Sequence, residues 1–291
     1  MLTIENKINV LKVDGICKSY NRFNLNNVSF DVNSGEVVGF IGINGAGKTT
    51  TMKIISGLTL PNKGNVYFWG EKINNENKEK IFNKIGFIFD ENYFYQNLTL
   101  KQMRDVVAAS YSNWDEKQFE TYINKFKLPI NKKICELSKG MKIKFSLAIA
   151  FSHHADLLIL DEPTSGLDPV IRKGILDVLN NLAKQGKSVL FSTHITSDLE
   201  NIATRLIMIN EGKICLNEPV KKIKSTYCKV RGNLSTLDSR NEDTFFYMKR
   251  YQNYFEALSS KRNVCKDVPS WEIFDISFDD LILQFVKEEE F

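Results

Sequence analysis

One glycine-rich segment restricts the possible folds of this chain more than any other feature of the sequence. It runs from Gly42 to Thr50 (GINGAGKTT) and fits the pattern G-x-x-x-x-G-K-[ST]. The continuous apolar run Val37–Ile41 precedes it, which predicts a strand buried on both faces, and a helix is predicted to begin at Lys48. A strand, a glycine loop and a helix in this order predict a loop whose backbone N–H groups surround phosphate oxygens.

The residue types in this loop suit a nucleoside triphosphate with Mg²⁺. The helix N-terminus contributes about half a positive charge, Lys48 reaches the β- and γ-phosphates, and the Thr49 hydroxyl is a magnesium ligand. The predicted nucleotide-binding residues of the loop are Asn44, Gly45, Ala46, Gly47, Lys48, Thr49 and Thr50.

A second apolar strand, Leu157–Leu160, is followed by two acidic residues, Asp161 and Glu162. A carboxylate at the end of such a strand binds Mg²⁺ through water, which is the role predicted for Asp161. Glu162 is predicted to orient or deprotonate the attacking water. An apolar strand that ends in an acidic residue is common by itself, but together with the phosphate loop it predicts a site of triphosphate hydrolysis.

Alternation of strands and helices predicts an α/β fold with a mostly parallel sheet. An α-helical insertion is predicted at about residues 97–150, within a nucleotide-binding domain of residues 1–219. Composition shifts after Pro219, so residues 220–291 are predicted to form a small α/β accessory domain. The predicted strands are Ile8–Val13, Val28–Val32, Val37–Ile41, Leu157–Leu160, Ser188–Phe191 and Leu206–Ile209, with a helix from Pro169 and a short one after Thr196.

Composition narrows the functional class only slightly. Of the 291 residues, 43% are hydrophobic and 25% are charged, which is ordinary for a globular protein. The net charge of +4 is mild, so we expect no nucleic-acid partner. We expect no signal peptide, because Met1–Leu11 lacks a continuous apolar stretch, and no membrane-spanning segment. Five scattered cysteines favour a reduced cytosolic chain.

Further motifs resemble those of one family. Leu137–Met141 (LSKGM) resembles the signature sequence of ATP-binding cassette (ABC) ATPases, and Ser165–Asp168 (SGLD) resembles their D-loop. His194 matches the family's switch histidine, and Tyr20 occupies the place of an aromatic residue that stacks on adenine, with Phe23 as a rival. The chain resembles the ATPase subunits of ABC transporters from about residue 11 to 219.

This resemblance implies ATP and Mg²⁺ as cofactors and a site shared between two subunits. Ser138 and Gly140 are implied to reach the γ-phosphate held by the other subunit of a homodimer or of a heterodimer with a related ATPase. Glu162 and His194 are the implied catalytic residues. The implied partner is a separate membrane permease, which places the chain at the cytoplasmic face of the membrane as a peripheral subunit.

At one position the sequence departs from the family pattern. After Ile85–Phe89 most members carry a glutamine that contacts Mg²⁺ and relays to the membrane subunit, whereas this chain has Asp90, followed by Glu91. Acidic residues occur there in the exporter branch, which the chain resembles. A carboxylate can bind Mg²⁺ or its waters, so we predict Asp90 as a further metal ligand.

The resemblance implies an ATPase that drives export through the permease. Two alternatives are a soluble cassette ATPase of DNA repair or translation, and a nucleotide-binding regulator that does not hydrolyse ATP. The absence of a long coiled coil and of a second cassette argues against the former, and Glu162 and His194 argue against the latter. Drugs, lipids and peptides all remain possible substrates, with peptides as the first guess.

The last part of the sequence shows only a charge pattern. Residues 219–266 carry a net charge of +7, and residues 267–291 carry −7. We expect the final helix to adhere mainly through the apolar residues Leu281, Ile282, Phe285 and Val286, because exposed ion pairs contribute only about 0–1 kcal/mol each.

Overall fold

The structure, a computed structural model, describes residues 8–89, 94–200, 202–237, 243–266 and 268–285. The strands are β1 Asn9–Tyr20, β2 Phe23–Asn33, β3 Val37–Ile41, β4 Lys63–Phe68, β5 Glu71–Lys72, β6 Ile85–Ile88, β7 Leu157–Asp161, β8 Ser188–Thr193, β9 Arg205–Asn210, β10 Lys213–Pro219, β11 Cys228–Asn233, β12 Phe245–Arg250, β13 Tyr254–Ser259 and β14 Glu272–Asp275. The helices are α1 Lys48–Ile55, α2 Lys78–Phe82, α3 Leu100–Ala108, α4 Glu116–Lys125, α5 Lys139–Ser152, α6 Pro169–Lys184, α7 Val220–Thr226, α8 Arg262–Lys266 and α9 Phe278–Ile282.

The central sheet has the order β10-β9-β3-β8-β7-β6. Strands β9, β3, β8, β7 and β6 are parallel to their neighbours, and β10 pairs antiparallel at the edge. Every residue of β3, β7 and β8 is buried, as expected for strands covered on both faces. The parallel α/β prediction is therefore confirmed. Because parallel strands end at the same edge, the segments after β3, β7 and β8 meet there.

A separate antiparallel sheet, in the order β2-β1-β4-β5, lies beside the central one. Its first strand is longer than the predicted Ile8–Val13 and continues to Tyr20. The register between β1 and β2 shifts between Val13 and Ile16, where Gly15 takes a positive φ of 63°. Such a bulge interrupts the alternation of apolar and polar residues, so the pattern ends before the strand does.

The helices α3, α4 and α5 pack around a cluster of their own, which includes Phe119 and Phe145. The side chain of Thr99 caps α3 in a reciprocal pair with Gln102, and Asp115 caps α4. Where a short helix was predicted after Thr196, the structure has a single 3₁₀ turn, Thr196–Asp198. Among the residues that the structure describes, no helix is both long and apolar enough to cross a membrane.

The C-terminal residues form an antiparallel sheet in the order β12-β13-β11-β14, with a small core that includes Phe255 and Trp271. The helix α9 does not belong to that core. Its buried residues Phe278 and Leu281 join the apolar cluster beneath the central sheet, and Ile282 and Phe285 pack against the same cluster. Val286 lies outside the described residues.

A buried histidine predicts how stability depends on pH. His153 is 1% exposed, its Nδ1 lies 3.1 Å from the carbonyl oxygen of Asn83, and its ring stacks on Tyr111. Its Nε2 has no hydrogen-bond partner within the described ranges, so a proton there would be buried without an acceptor. Burial accordingly lowers the pKa of His153 from 6.5 to about 4.

We therefore expect the folded chain to lose stability as the pH falls from 6.5 towards 4, because the unfolded chain binds a proton at this histidine and the folded chain does not. The contribution is about 1.4 kcal/mol per pH unit in that range. Unfolding free energies of the wild type and of His153→Phe, which keeps a flat ring, measure it. The unfolding free energy of His153→Phe should depend less steeply on pH than that of the wild type. His154→Gln changes the exposed neighbouring histidine and should keep the wild-type dependence. Equal slopes for all three proteins would contradict the expectation.

Candidate active site

A cleft of about 550 Å³ opens at the edge where β3, β7 and β8 end. It brings together residues from the start of the chain, from the glycine loop and from the segments after β7 and β8. The residues that line it are Tyr20, Arg22, Phe23, Asn44, Gly45, Gly47, Lys48, Thr49, Thr50, Glu162, Ser165 and His194. Nine of these were predicted as site residues from sequence, and Phe23 was named as a rival of Tyr20; Arg22 and Ser165 were not predicted to line the site.

The loop between β3 and α1 depends on glycine at Gly47. This residue has a φ of 115°, and a Cβ placed there would lie 2.9 Å from Phe23 Cζ and 3.0 Å from a methyl carbon of Leu25. A side chain would therefore strain the backbone and also displace the apolar residues beneath it. The loop is held close to the sheet, with α1 beginning directly after it at Lys48.

Lys48 lies at the centre of the loop with only 6% of its side chain exposed. Its Nζ donates to the carbonyl oxygens of Gly42 at 2.8 Å and Ile43 at 3.3 Å, and lies 3.6 Å from Glu162 Oε1. Burial lowers the pKa of Lys48, while the charges of Glu162 and Asp161 act in the opposite direction. The ammonium group thus links the loop to the acidic end of β7.

Asp161 is buried at the end of β7, beneath the cleft. Its Oδ1 accepts a hydrogen bond of 2.5 Å from the hydroxyl of Ser192 on β8, and the Thr49 side chain lies near enough to influence the pKa of this carboxylate. Burial raises the pKa of Asp161, with Glu162 acting in the same direction, and the hydroxyl groups of Ser192 and Thr49 oppose the rise. A carboxylate and a hydroxyl oxygen therefore lie together, which fits Mg²⁺, since this ion takes few protein ligands and keeps several waters.

Glu162 and His194 form a pair at the mouth of the cleft. His194 Nδ1 lies 2.7 Å from Glu162 Oε2, and the backbone N–H of His194 donates to the same oxygen at 3.3 Å. Glu162 has a positive φ of 51°, which costs a non-glycine residue about 1–3 kcal/mol and is concentrated at functional sites. Its backbone N–H donates to Ser192 O at 3.0 Å, which holds this conformation.

A buried carboxylate connects the two segments that carry this pair. Asp198, in the 3₁₀ turn after His194, accepts bonds of 2.5 Å from the Thr164 hydroxyl and from Arg172 Nε. Thr164 follows Glu162 by two residues, so Asp198 ties the loop after β8 to the loop after β7. The charge of Arg172 compensates the buried carboxylate, which would otherwise be costly.

Ser138 and Gly140 do not line this cleft. The exposed Ser138 caps α5, its Oγ accepting from Met141 N at 3.3 Å. Gly140 is packed so closely that a Cβ would lie 2.8 Å from Ile171 Cγ2, which ties the start of α5 to α6. The signature segment and the phosphate loop of one chain are therefore at separate places.

Comparison with known proteins decides the family. A family model described as ABC transporter matches residues 25–165. The lantibiotic transport ATP-binding protein SrtF of Streptococcus pyogenes is 36% identical over 72% of this chain and 90% of its own length. The bacitracin transport ATP-binding protein BcrA of Bacillus licheniformis is 34% identical over 77% of this chain and 72% of its own. The chain belongs to the ABC transporter family.

A solved structure agrees with this assignment. The dimeric, post-hydrolysis ATP-binding cassette MJ0796, bound to ADP and Pi, is 25% identical, with a TM-score of 0.65, and the match covers 72% of this chain and 98% of that one. The present chain is accordingly an ATP-binding subunit with the P-loop fold of ABC cassettes, and its activity is that of an ATPase.

The ABC motifs predicted from sequence differ in how the structure places them. Tyr20 and Phe23 both line the cleft, and both remain candidates for stacking on adenine. Ala46 lies behind the loop with its side chain in the apolar core, so only its backbone is available to a nucleotide. Asp90, the predicted further metal ligand, lies outside the described residues and stays a prediction.

Sequence reasoning missed the residues that support this ABC site from beneath. Ser192 lies two residues before His194, but its bond to Asp161 depends on the pairing of β7 with β8, in which these two residues are opposite each other. Asp198 carries no motif of its own. Its position four residues after the switch histidine, beside the apolar Leu199, is the signal in the sequence that could have found it.

Proposed function

We propose that two ABC ATPase chains close around ATP and Mg²⁺ and drive export through a separate membrane permease at the cytoplasmic face of the membrane. One observation supports the two-chain site above all. The cleft contains every predicted catalytic side chain, whereas Ser138 and Gly140 lie apart from it on the same chain. A second chain is needed to bring a signature segment to the γ-phosphate.

The residues of the cleft have separate tasks in this proposal. Lys48 and the N-terminus of α1 bind the phosphates, and Thr49 with Asp161 would hold Mg²⁺, which neutralises phosphate charge when bound. Glu162 accepts a proton from the water that attacks the γ-phosphorus, and the leaving group is ADP. His194 orients Glu162 through the 2.7 Å contact and stabilises the γ-phosphate.

The opposing chain completes the site through α5. This helix begins at the exposed cap residue Ser138, and a helix N-terminus favours an anion. Contacts to the γ-phosphate that form only in the closed dimer provide the driving force, because a ligand shifts an equilibrium only through its different affinity for the two states.

A second cleft, of about 830 Å³, is the proposed docking site of the permease. Leu58, Leu60 and Val106 contribute exposed apolar surface to it, with 52%, 78% and 46% of the respective side chains accessible. One wall is formed by the residues that come directly after α1, the helix that begins with Lys48. The opposite wall is formed by the end of α3. A cytoplasmic segment of the permease with apolar side chains would therefore contact the continuation of the phosphate-loop helix and the helical part at once.

Leu58→Glu tests this docking site. An unpaired carboxylate buried against an apolar partner costs several kcal/mol, so we expect retention of the partner permease to fall at least about tenfold. ATP hydrolysis by the isolated chain should stay within about twofold, because Leu58 does not line the nucleotide cleft. Co-purification and ATP hydrolysis measure the two effects.

Ile8→Glu is the matched control, since Ile8 is an exposed aliphatic residue outside the second cleft. It should retain the permease. Equal retention by wild type, Leu58→Glu and Ile8→Glu would place the permease elsewhere.

The relatives named for transport of bacitracin and of a lantibiotic favour the peptide alternative for the exported substrate.

A further inference from the structure

The loop that carries His194 is anchored by side chains as well as by its backbone. It continues from β8 into the 3₁₀ turn Thr196–Asp198, and both ends of that turn are buried, with Thr196 only 1% exposed. A buried hydroxyl needs a hydrogen-bond partner. The anchors of Thr196 and Asp198 therefore set where the backbone of His194 lies.

The two anchors come from different parts of the chain. Asp198 bonds to Thr164 and Arg172, within the nucleotide-binding part. Thr196 Oγ1 instead donates to Asp279 Oδ1 at 2.6 Å, and Asp279 belongs to α9, which is 83 residues further along the sequence. The C-terminal segment thus contacts the loop of the switch histidine directly.

The helix α9 is fixed in place without this bond. Phe278 and Leu281 are buried beneath the central sheet, the backbone N–H of Phe278 donates to Glu200 Oε1 at 3.1 Å, and Asn210 Nδ2 donates to Phe285 O at 2.8 Å. Asp279 itself is exposed apart from the carboxylate contact. The bond between Thr196 and Asp279 is therefore not needed to seat the helix, and its effect falls on the loop.

We infer that Asp279 is a positioning residue for ATP hydrolysis: through Thr196 it holds the loop that places His194 against Glu162. The inference rests on the proposed roles of Glu162 and His194. It gives the C-terminal segment a defined task, which is to complete the support of the catalytic site rather than to bind nucleotide. Any displacement of α9, by a partner or by loss of the C-terminal residues, then changes the hydrolysis rate.

The test compares Asp279→Ala, Asp279→Asn and Thr196→Val in the full chain. Asp279→Ala and Thr196→Val each remove the bond, and we expect kcat to fall about tenfold, since a displacement of 1 Å costs up to about 10²-fold. KM for ATP should change less than about twofold, because the change affects the chemical step. Asp279→Asn keeps an acceptor oxygen and should restore most of kcat, and the double variant should be no worse than either single variant.

Asp280→Ala is the matched control. Asp280 caps α9 through Ser277 but has no contact with Thr196, so it reports a loss of helix stability alone. The inference is overturned if Asp279→Ala keeps the wild-type kcat, or if Asp280→Ala lowers kcat as much. The proposed function fails separately, if His194→Ala and Glu162→Gln hydrolyse ATP at the wild-type rate. Should Thr196→Val not fold, the exposed Asp279 variants still decide the question.

Discussion

The variant Glu162→Gln is expected to bind ATP and to hydrolyse it about 10²–10⁴-fold more slowly than the wild type, the range that a positioned base contributes. Glutamine has the same size and can keep the contact with His194, which in the wild type is 2.7 Å long. It cannot accept a proton from water. The loss should therefore appear in kcat, with ATP affinity little changed.

The same substitution should trap the closed dimer, because ATP that is not hydrolysed keeps its γ-phosphate contacts. ATP turnover and the mass of the protein with and without ATP measure the two effects. Glu218→Gln is the control, since Glu218 pairs with Lys222 at the surface. Turnover near that of the wild type in Glu162→Gln would remove Glu162 from the role of base.

Lys48→Met should weaken ATP binding strongly. Hydrogen bonds to charged groups contribute about 1.5–3 kcal/mol each, so loss of the ammonium should weaken ATP binding by about 10- to 150-fold. The methionine preserves the length of a side chain that is almost fully buried. It leaves Glu162 and Asp161 without a compensating charge, which adds repulsion towards the phosphates.

Nucleotide titration of Lys48→Met and of Lys53→Met measures this loss. Lys53 lies in the last turn of the same helix, away from the cleft, so its variant should bind ATP as the wild type does. Thermal unfolding without nucleotide shows whether the fold is kept. Unchanged affinity in a folded Lys48→Met chain would exclude Lys48 from phosphate binding.

The sequence predicted most of the residues that line the cleft because the fold brings the motifs that carry them to one edge of the sheet. Lys48, Glu162 and His194 follow β3, β7 and β8, and these strands are adjacent and parallel. Residues that follow the carboxyl ends of such strands meet at one edge. Two local patterns and one motif taken from the family resemblance, which are far apart in the sequence, therefore come together at one cleft.

Other features depend on tertiary contacts that no local pattern encodes. The positive φ of Glu162 follows from its bond to the backbone of β8, and propensity alone would not predict it. The bond from Thr196 to Asp279 joins two segments that sequence reasoning placed in different domains. The final helix was expected to adhere through apolar residues, and Leu281 is buried in the main core, but the pattern did not indicate that Phe278 would be buried there as well.

The central claim is that each catalytic site is built from two chains, and mixing two inactive variants tests it most directly. Lys48→Met damages the phosphate loop. Ser138→Asp keeps a good helix cap but places a negative charge where the other chain's γ-phosphate would lie. Each variant alone should be inactive as a homodimer, because both of its sites are damaged.

In the mixed dimer one site carries both lesions and the other carries none. An equal mixture should therefore regain about a quarter of the wild-type ATPase activity, since half of the dimers are mixed and each has one intact site. ATP hydrolysis measured against the ratio of the two variants should peak at equal amounts. A mixture whose rate never exceeds the sum of the separate rates would contradict the account.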